Sequence, residues 1–187
     1  MGIGILAVII VLVLSLVMMY NGLIKKKNYV NEAFSGMDVA LKKRHDLLPN
    51  LIETVKAYMK HEKDLLTEIT ALRSRAMNPN LSVDEKVAVE NKLNTAIGGL
   101  MVAVERYPDL KANQNFMQIQ NTMNDVEFEI AGARKNYNST VTDFNNAVEM
   151  FPTNIMAKFM GLKQRLFFEI PEVERENVDV KSLFGNT

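Results

Sequence analysis

Ile3 to Met19 reads IGILAVIIVLVLSLVMM, with no charged residue in it. Extended to Ile24 the apolar stretch is about 22 residues, close to the ~20 that cross a bilayer as a helix. Tyr20 sits where an interfacial aromatic belongs, and Lys25, Lys26 and Lys27 follow directly. A cleaved signal peptide is the competing reading. It requires basic residues before the apolar run and a small-residue cleavage site after it. Here the basic residues come after the run, and no A-x-A-like site follows. A lipoprotein signal would need a cysteine, and the chain has none. The run is therefore read as an uncleaved anchor contacting lipid through residues 3–24. Positive flanks stay in the cytoplasm, so the N-terminus is expected outside and residues 25–187 inside.

The 187 residues carry 22 basic and 22 acidic side chains. A neutral balance argues against a nucleic-acid partner, which needs clustered positive charge. The lack of cysteine removes thiolate catalysis, disulfides and cysteine zinc sites. The remaining composition, rich in Leu, Met, Ala, Lys and Glu, suits helix.

Past the anchor, apolar residues recur in steps of four and three: Val30, Phe34, Met37, Leu41, then Leu48, Leu51, Val55, Tyr58, and on through Leu65, Ile69, Leu72 and Ala76. This is one buried stripe of a long helix. Pro49 lies inside it, and the spacing predicts a kink near residues 45–49 within a single helix running to Ala76. Asn78-Pro79-Asn80-Leu81-Ser82 ends it. Ser82 and Glu85 form a capping box before a second helix with Val89, Leu93, Ala96, Leu100 and Val104 on one face. Gly98 and Gly99 inside that helix suggest close approach of a neighbour. Tyr107-Pro108-Asp109 reads as a corner, with Pro108 ending one helix and Asp109 capping the next. A third helix carries Phe116, Ile119, Met123, Val126, Ile130, Ala133, Tyr137, Val141, Phe144 and Val148. Phe151-Pro152-Thr153 repeats the corner, with each aromatic expected to pack down as a plug. Ile155, Phe159, Leu162 and Leu166 predict a last short helix. The expected architecture is all-α: an N-terminal transmembrane helix (residues 1–24), then an antiparallel four-helix bundle with a long kinked first helix (25–168), then an acidic tail (169–187).

The pattern offers little chemistry. His45 and His61 are sixteen apart, about 160° around a helix. Neither has the Glu three residues earlier that a di-iron bundle needs. No phosphate-binding glycine loop and no nucleophile elbow is present. No catalytic residue, cofactor or metal is assigned. Two polar residues interrupt the first stripe, Arg44 and Glu62. They either snorkel to the edge of the bundle or mark a cleft. Glu105 or Asp109 at the corner is the partner expected for Arg44, and Glu62 has no evident partner. Asparagines follow aromatics at Tyr20-Asn21, Tyr137-Asn138 and Phe144-Asn145, which suggests rings packing inward while amides bond across to another segment.

Several blocks in order carry a resemblance: Tyr20-Asn21; Arg44-His45-Asp46-Leu47-Leu48-Pro49-Asn50-Leu51; His61-Glu62; Glu105 to Asn113 with Phe116; Ala133-Arg134-Lys135-Asn136-Tyr137-Asn138; Phe144-Asn145; Phe151-Pro152; and Phe167-Phe168-Glu169. Over Tyr20 to Phe168 the chain resembles the LemA proteins of bacteria. The resemblance implies a short external N-terminus, one span of the bacterial inner membrane and a cytoplasmic helical domain, and it brings no activity, catalytic residue or cofactor. The expected function is a non-enzymatic, membrane-anchored interaction or assembly module binding a protein partner or itself. The alternatives are a regulatory subunit or enzyme with a polar pocket around Arg44, His45, Asp46 and Glu62, or a small-ligand sensor. The candidate interaction or polar-core positions are Arg44, Asp46, Glu62 and Tyr107, together with Asp109, Arg134, Tyr137 and Asn138.

Overall fold

A computed structural model describes residues 2–169. Among them every regular element is a helix. The acidic tail expected over 169–187 lies, but for Glu169, outside the described residues.

The apolar run does not stop before the rest of the fold starts. It forms the first part of α1, one 55-residue helix, Gly2–Lys56. Its N-terminal stretch is long and apolar enough to cross a membrane, and its side chains from Ile3 to Val17 are largely bare of protein contact. From Leu23 onward one stripe becomes buried: Leu23, Val30, Phe34, Met37, Leu41, Arg44, Leu48, Leu51 and Val55. Pro49 sits inside α1, and the helix continues past it.

The single helix expected to reach Ala76 is instead two. α1 ends at Lys56, and α2 covers Lys63–Ala76. No proline or glycine marks the break. Tertiary contacts hold it: Met59 turns inward and is 1% exposed, the Tyr58 hydroxyl accepts from Asn113 Nδ2 at 3.0 Å, and Glu62 pairs with Arg106 at 2.7 Å. The apolar phase carries across the turn, because Ile69 and Ala76 are buried in α2. Periodicity alone therefore could not reveal the corner.

α3 (Val83–Val104) opens on the expected capping box. Ser82 Oγ accepts from the Glu85 N–H and Glu85 Oε2 accepts from the Ser82 N–H. A Cβ on Gly99 would meet nothing within 4 Å, so no neighbour presses against that glycine. At the Tyr107 corner, Pro108 begins a single turn, α4 (Pro108–Lys111), whose Leu110 is fully buried. Asp109 makes no capping bond. The cap belongs to Asn113, whose Oδ1 accepts from the Phe116 N–H at 3.0 Å and starts α5 (Gln114–Glu149). Tyr107 is partly buried against the core. Phe151 is not the expected plug: it is 80% exposed. The Phe151–Pro152 peptide is cis, and Thr153 donates back to the Met150 carbonyl instead of capping α6 (Thr153–Phe159). Leu162 and Leu166 lie beyond that helix, in a segment without regular structure that runs to Glu169.

Contacts fix the register of the helices. Phe34 meets Tyr137 edge-to-face at 5.9 Å, Lys43 meets Glu129, and Tyr58 meets Asn113. Numbers rise along α1 as they fall along α5. α2 packs on α3, and both α2 and α6 touch α1. The core has two apolar clusters. One gathers Leu48, Leu51, Val55, Ile69, Leu93, Leu100 and Phe116. The other gathers Val30, Phe34, Met37, Ile130, Tyr137, Phe144 and Phe168.

A lost N-cap costs about 1 kcal/mol. Asn113→Ala should therefore lower the melting temperature of the detergent-solubilised protein, read by circular dichroism. Asp109→Ala should leave it within error. A larger loss for Asp109→Ala would reassign the cap.

Candidate functional site: a charged layer between two cores

Arg44 lies in the buried stripe of α1, between Leu41 and Leu48, with 0% of its surface exposed. It is the junction of the two apolar clusters. Its guanidinium does not reach Glu105 or Asp109; Glu105 is taken by Lys111 at 2.6 Å. Instead Nη2 donates to Glu90 Oε2, and Nη1 donates to Asn94 Oδ1 and to Glu127 Oε1, the last at 3.2 Å. His45 Nε2 lies 2.8 Å from Glu90 Oε1, close enough for an ion pair but not aligned as a hydrogen bond. Arg44 Nε is buried without a partner. Glu90 and Asn94 are one turn apart on α3, so a single face of that helix presents a carboxylate and an amide to Arg44.

Pro49 supplies the fourth helix. A helical carbonyl normally accepts from the N–H four residues later. Proline has no N–H, so the His45 carbonyl loses that partner. Arg73 Nε on α2 takes it, at 2.7 Å. At residues 44 and 45, α1 is thus bonded to α2 through Arg73, to α3 through Glu90 and Asn94, and to α5 through Glu127.

Burial alone would raise the Glu90 carboxyl. The His45 contact and the positive charge of Arg44 outweigh it and hold the carboxyl below its ordinary 4.5. Arg44, His45, Glu90 and Asn94 are buried against one another, and only Glu127, about one-third exposed, reaches toward solvent. Asp46 is exposed and takes no part, and Glu62 is engaged at the far corner with Arg106. The structure therefore does not bring together the four residues of the alternative polar pocket, Arg44, His45, Asp46 and Glu62.

The asparagines after aromatics have a second task. Tyr137 and Phe144 are buried, at 0% and 1% exposure. Asn138 accepts from the Phe168 N–H and donates to the Phe168 carbonyl, both at 2.9 Å. Asn145 does the same with Arg165, at 2.8 and 3.0 Å. Asn91 of α3 adds bonds to the Phe167 carbonyl and the Glu169 N–H. The Tyr137 hydroxyl donates to the Leu166 carbonyl at 3.0 Å, and its pKa is raised by burial and by the negative charge of Asp84. Arg134 contacts the Glu169 carbonyl at 3.4 Å. Residues 165–169 are thus a strap held by side-chain amides across α3 and α5. Asn138 and Asn145 stand seven residues apart on one face, a spacing that lets both bond the same segment, at Phe168 and Arg165. Tyr20 and Asn21 are both exposed and make no such pair. Glu90, Asn94, Glu127, Arg73 and Asn91 went unrecognised in the sequence.

The third feature is an open groove of about 600 Å³ between the end of α1 and α2. Met59 and Leu66 form its floor, and Lys56, Lys60 and Lys63 stand on its rim. Among the described residues no cluster of three or more His, Asp or Glu could hold a metal.

These features define an all-helical protein with one N-terminal segment able to span a membrane. The chain belongs to the LemA family, whose model matches residues 33–182. It is similar to Protein LemA of Metamycoplasma hominis, with 30% identity over 163 residues, covering 87% of this chain and 74% of that one. Magnetosome protein MamQ 2 of Paramagnetospirillum magneticum is 20% identical, covering 86% of this chain and 68% of its own. MamQ of Magnetospirillum gryphiswaldense is 19% identical, with the same coverage.

The lowered Glu90 pKa makes stability depend on acid. Its contribution is complete above the unfolded value, 4.5, and is lost as pH falls through the lower folded value. Below about pH 4.5 the melting temperature of the wild type should fall more steeply than that of Glu90→Gln, which lacks this titration. Parallel pH curves would contradict it.

Proposed function

We propose that this chain is a non-enzymatic, membrane-anchored interaction module. The register of α1 with α5, and of α2 with α1 through Arg73, supports reading the four long elements as an antiparallel bundle running up, down, up, down. The lysines after the span support an external N-terminus and a cytoplasmic bundle. The interaction role rests chiefly on the groove between α1 and α2. An apolar floor rimmed by three lysines suits the apolar face of an acidic amphipathic helix. It lies at the end of α1 away from the span: Ile24 to Lys56 is 33 residues of continuous helix, or about 48 Å at 1.5 Å rise per residue step. A partner there would be held well clear of the bilayer. The Arg44 layer supports this reading over the enzyme and sensor alternatives, because Arg44 and Glu90 are fully buried and paired with each other.

A photo-crosslinking residue at Thr67, on the groove wall, tests this in intact cells. The expected result is a discrete adduct with a cytoplasmic protein, lost on charge reversal of Lys56, Lys60 and Lys63. An adduct unaffected by charge reversal, or none, would remove the groove as the docking site. An adduct with an external protein would reverse the orientation.

A further inference from the structure

The register of α1 and α5 also sets the height of α6. Phe34 is level with Tyr137, Lys43 with Glu129, and Tyr58 with Asn113. Continued at equal rise, Glu149 at the end of α5 falls about level with Gly22 of α1. α6 follows at once and packs against α1. At that height Leu23 is closed over, 1% exposed, and Met19 is half-buried. Both belong to the last turns of the apolar segment. α6 therefore sits where the span leaves the bilayer.

Its apolar side chains face the wrong way for a core helix. Ala157 is the inward residue, 1% exposed. Ile155 and Phe159, four apart on the opposite face, are 63% and 89% exposed, and Met150 and Phe151 just before the helix are 63% and 80% exposed. Four large apolar groups within ten residues, at one height, form a patch rather than the scatter ordinary on a soluble surface. Lys25, Lys26 and Lys27 follow the span on α1 just above that height, and Lys158 and Lys163 lie in and just after α6. Apolar side chains bordered by lysine are the composition of an interfacial helix resting in the headgroup region.

We propose that the corner from Met150 to Phe159 is a second membrane contact, with Phe151, Ile155 and Phe159 entering the headgroup–acyl boundary of the same bilayer that α1 crosses. The occupant is lipid, because the continuous α1 helix brings that bilayer to this height. The span and this corner together fix the tilt and rotation of the domain above the membrane. The inference needs only the span and does not depend on the proposed partner groove.

The chain contains no tryptophan, so one introduced indole is a clean reporter. Full-length protein carrying Phe159→Trp, and separately Phe151→Trp, is placed in nanodiscs of phosphatidylcholine and phosphatidylglycerol with brominated acyl chains. Leu12→Trp, inside the span, is the positive control. Phe128→Trp is the negative control; Phe128 is 83% exposed and lies on α5 about 30 Å further from the bilayer. Both corner reporters should be quenched by bromolipid several-fold more than Phe128→Trp and should be shielded from aqueous iodide. Corner reporters that behave like Phe128→Trp would overturn the proposal. Iodide shielding without bromolipid quenching would also overturn it, because protein rather than lipid would then cover the patch.

Discussion

Arg44 is the constraint from which the rest of the domain is organised. Moving a guanidinium out of water costs several kcal/mol, and an unpaired one would unfold so small a domain. Its position between Leu41 and Leu48 offers no route to solvent. Carboxylates must therefore come to it, and they come from two other helices, Glu90 on α3 and Glu127 on α5. The Pro49 lesion adds the remaining helix, since the carbonyl it leaves free is satisfied by Arg73. One level of the fold thus contains a bond from α1 to each of its three long neighbours. Apolar residues on either side could slide by a turn at modest cost. These polar contacts could not, so they specify register.

Much of the fold is written in spacing. The apolar span, the stripes of α1, α3 and α5, the Ser82 box and the Pro108 corner all follow from local rules. The errors share a cause. The turn at 57–62 is held by distant contacts to Asn113 and Arg106, and it preserves the apolar phase, so no local signal marks it. Asp109 has the right chemistry for a cap, but Pro108 opens only a single turn, and the cap passes to Asn113. The stretch after Phe159 reads as helix by its leucines, yet its backbone bonds go to Asn138, Asn145 and Asn91. Of the candidate positions, Arg44 was conspicuous as a charge in an apolar stripe. Glu90 and Asn94 were hidden because a polar pair one turn apart looks like an ordinary wet face.

The same layout separates tasks along one axis. The span and the α6 corner sit at one end of α1. The Arg44 layer lies in the middle, and the lysine-rimmed groove at the other end. On the proposed reading, a rigid, registered middle holds the groove at a fixed height over the membrane. The LemA protein of Metamycoplasma hominis and the MamQ proteins align along most of this chain, so the likeness extends over most of its length rather than one local motif.

The central claim is that the buried layer acts as a unit that specifies register, and a double-mutant cycle on Arg44 and Glu90 tests it most directly. Arg44→Met, Glu90→Met and the double variant would be compared with the wild type by chemical unfolding in detergent. Each single variant leaves a buried charge short of its partner and should lose about 3–5 kcal/mol. The double variant should be more stable than the sum of those losses allows, with a coupling of about 2 kcal/mol or more, and should unfold less cooperatively than the wild type as the register loosens. Additive losses, or a double variant that unfolds as sharply as the wild type, would contradict the account.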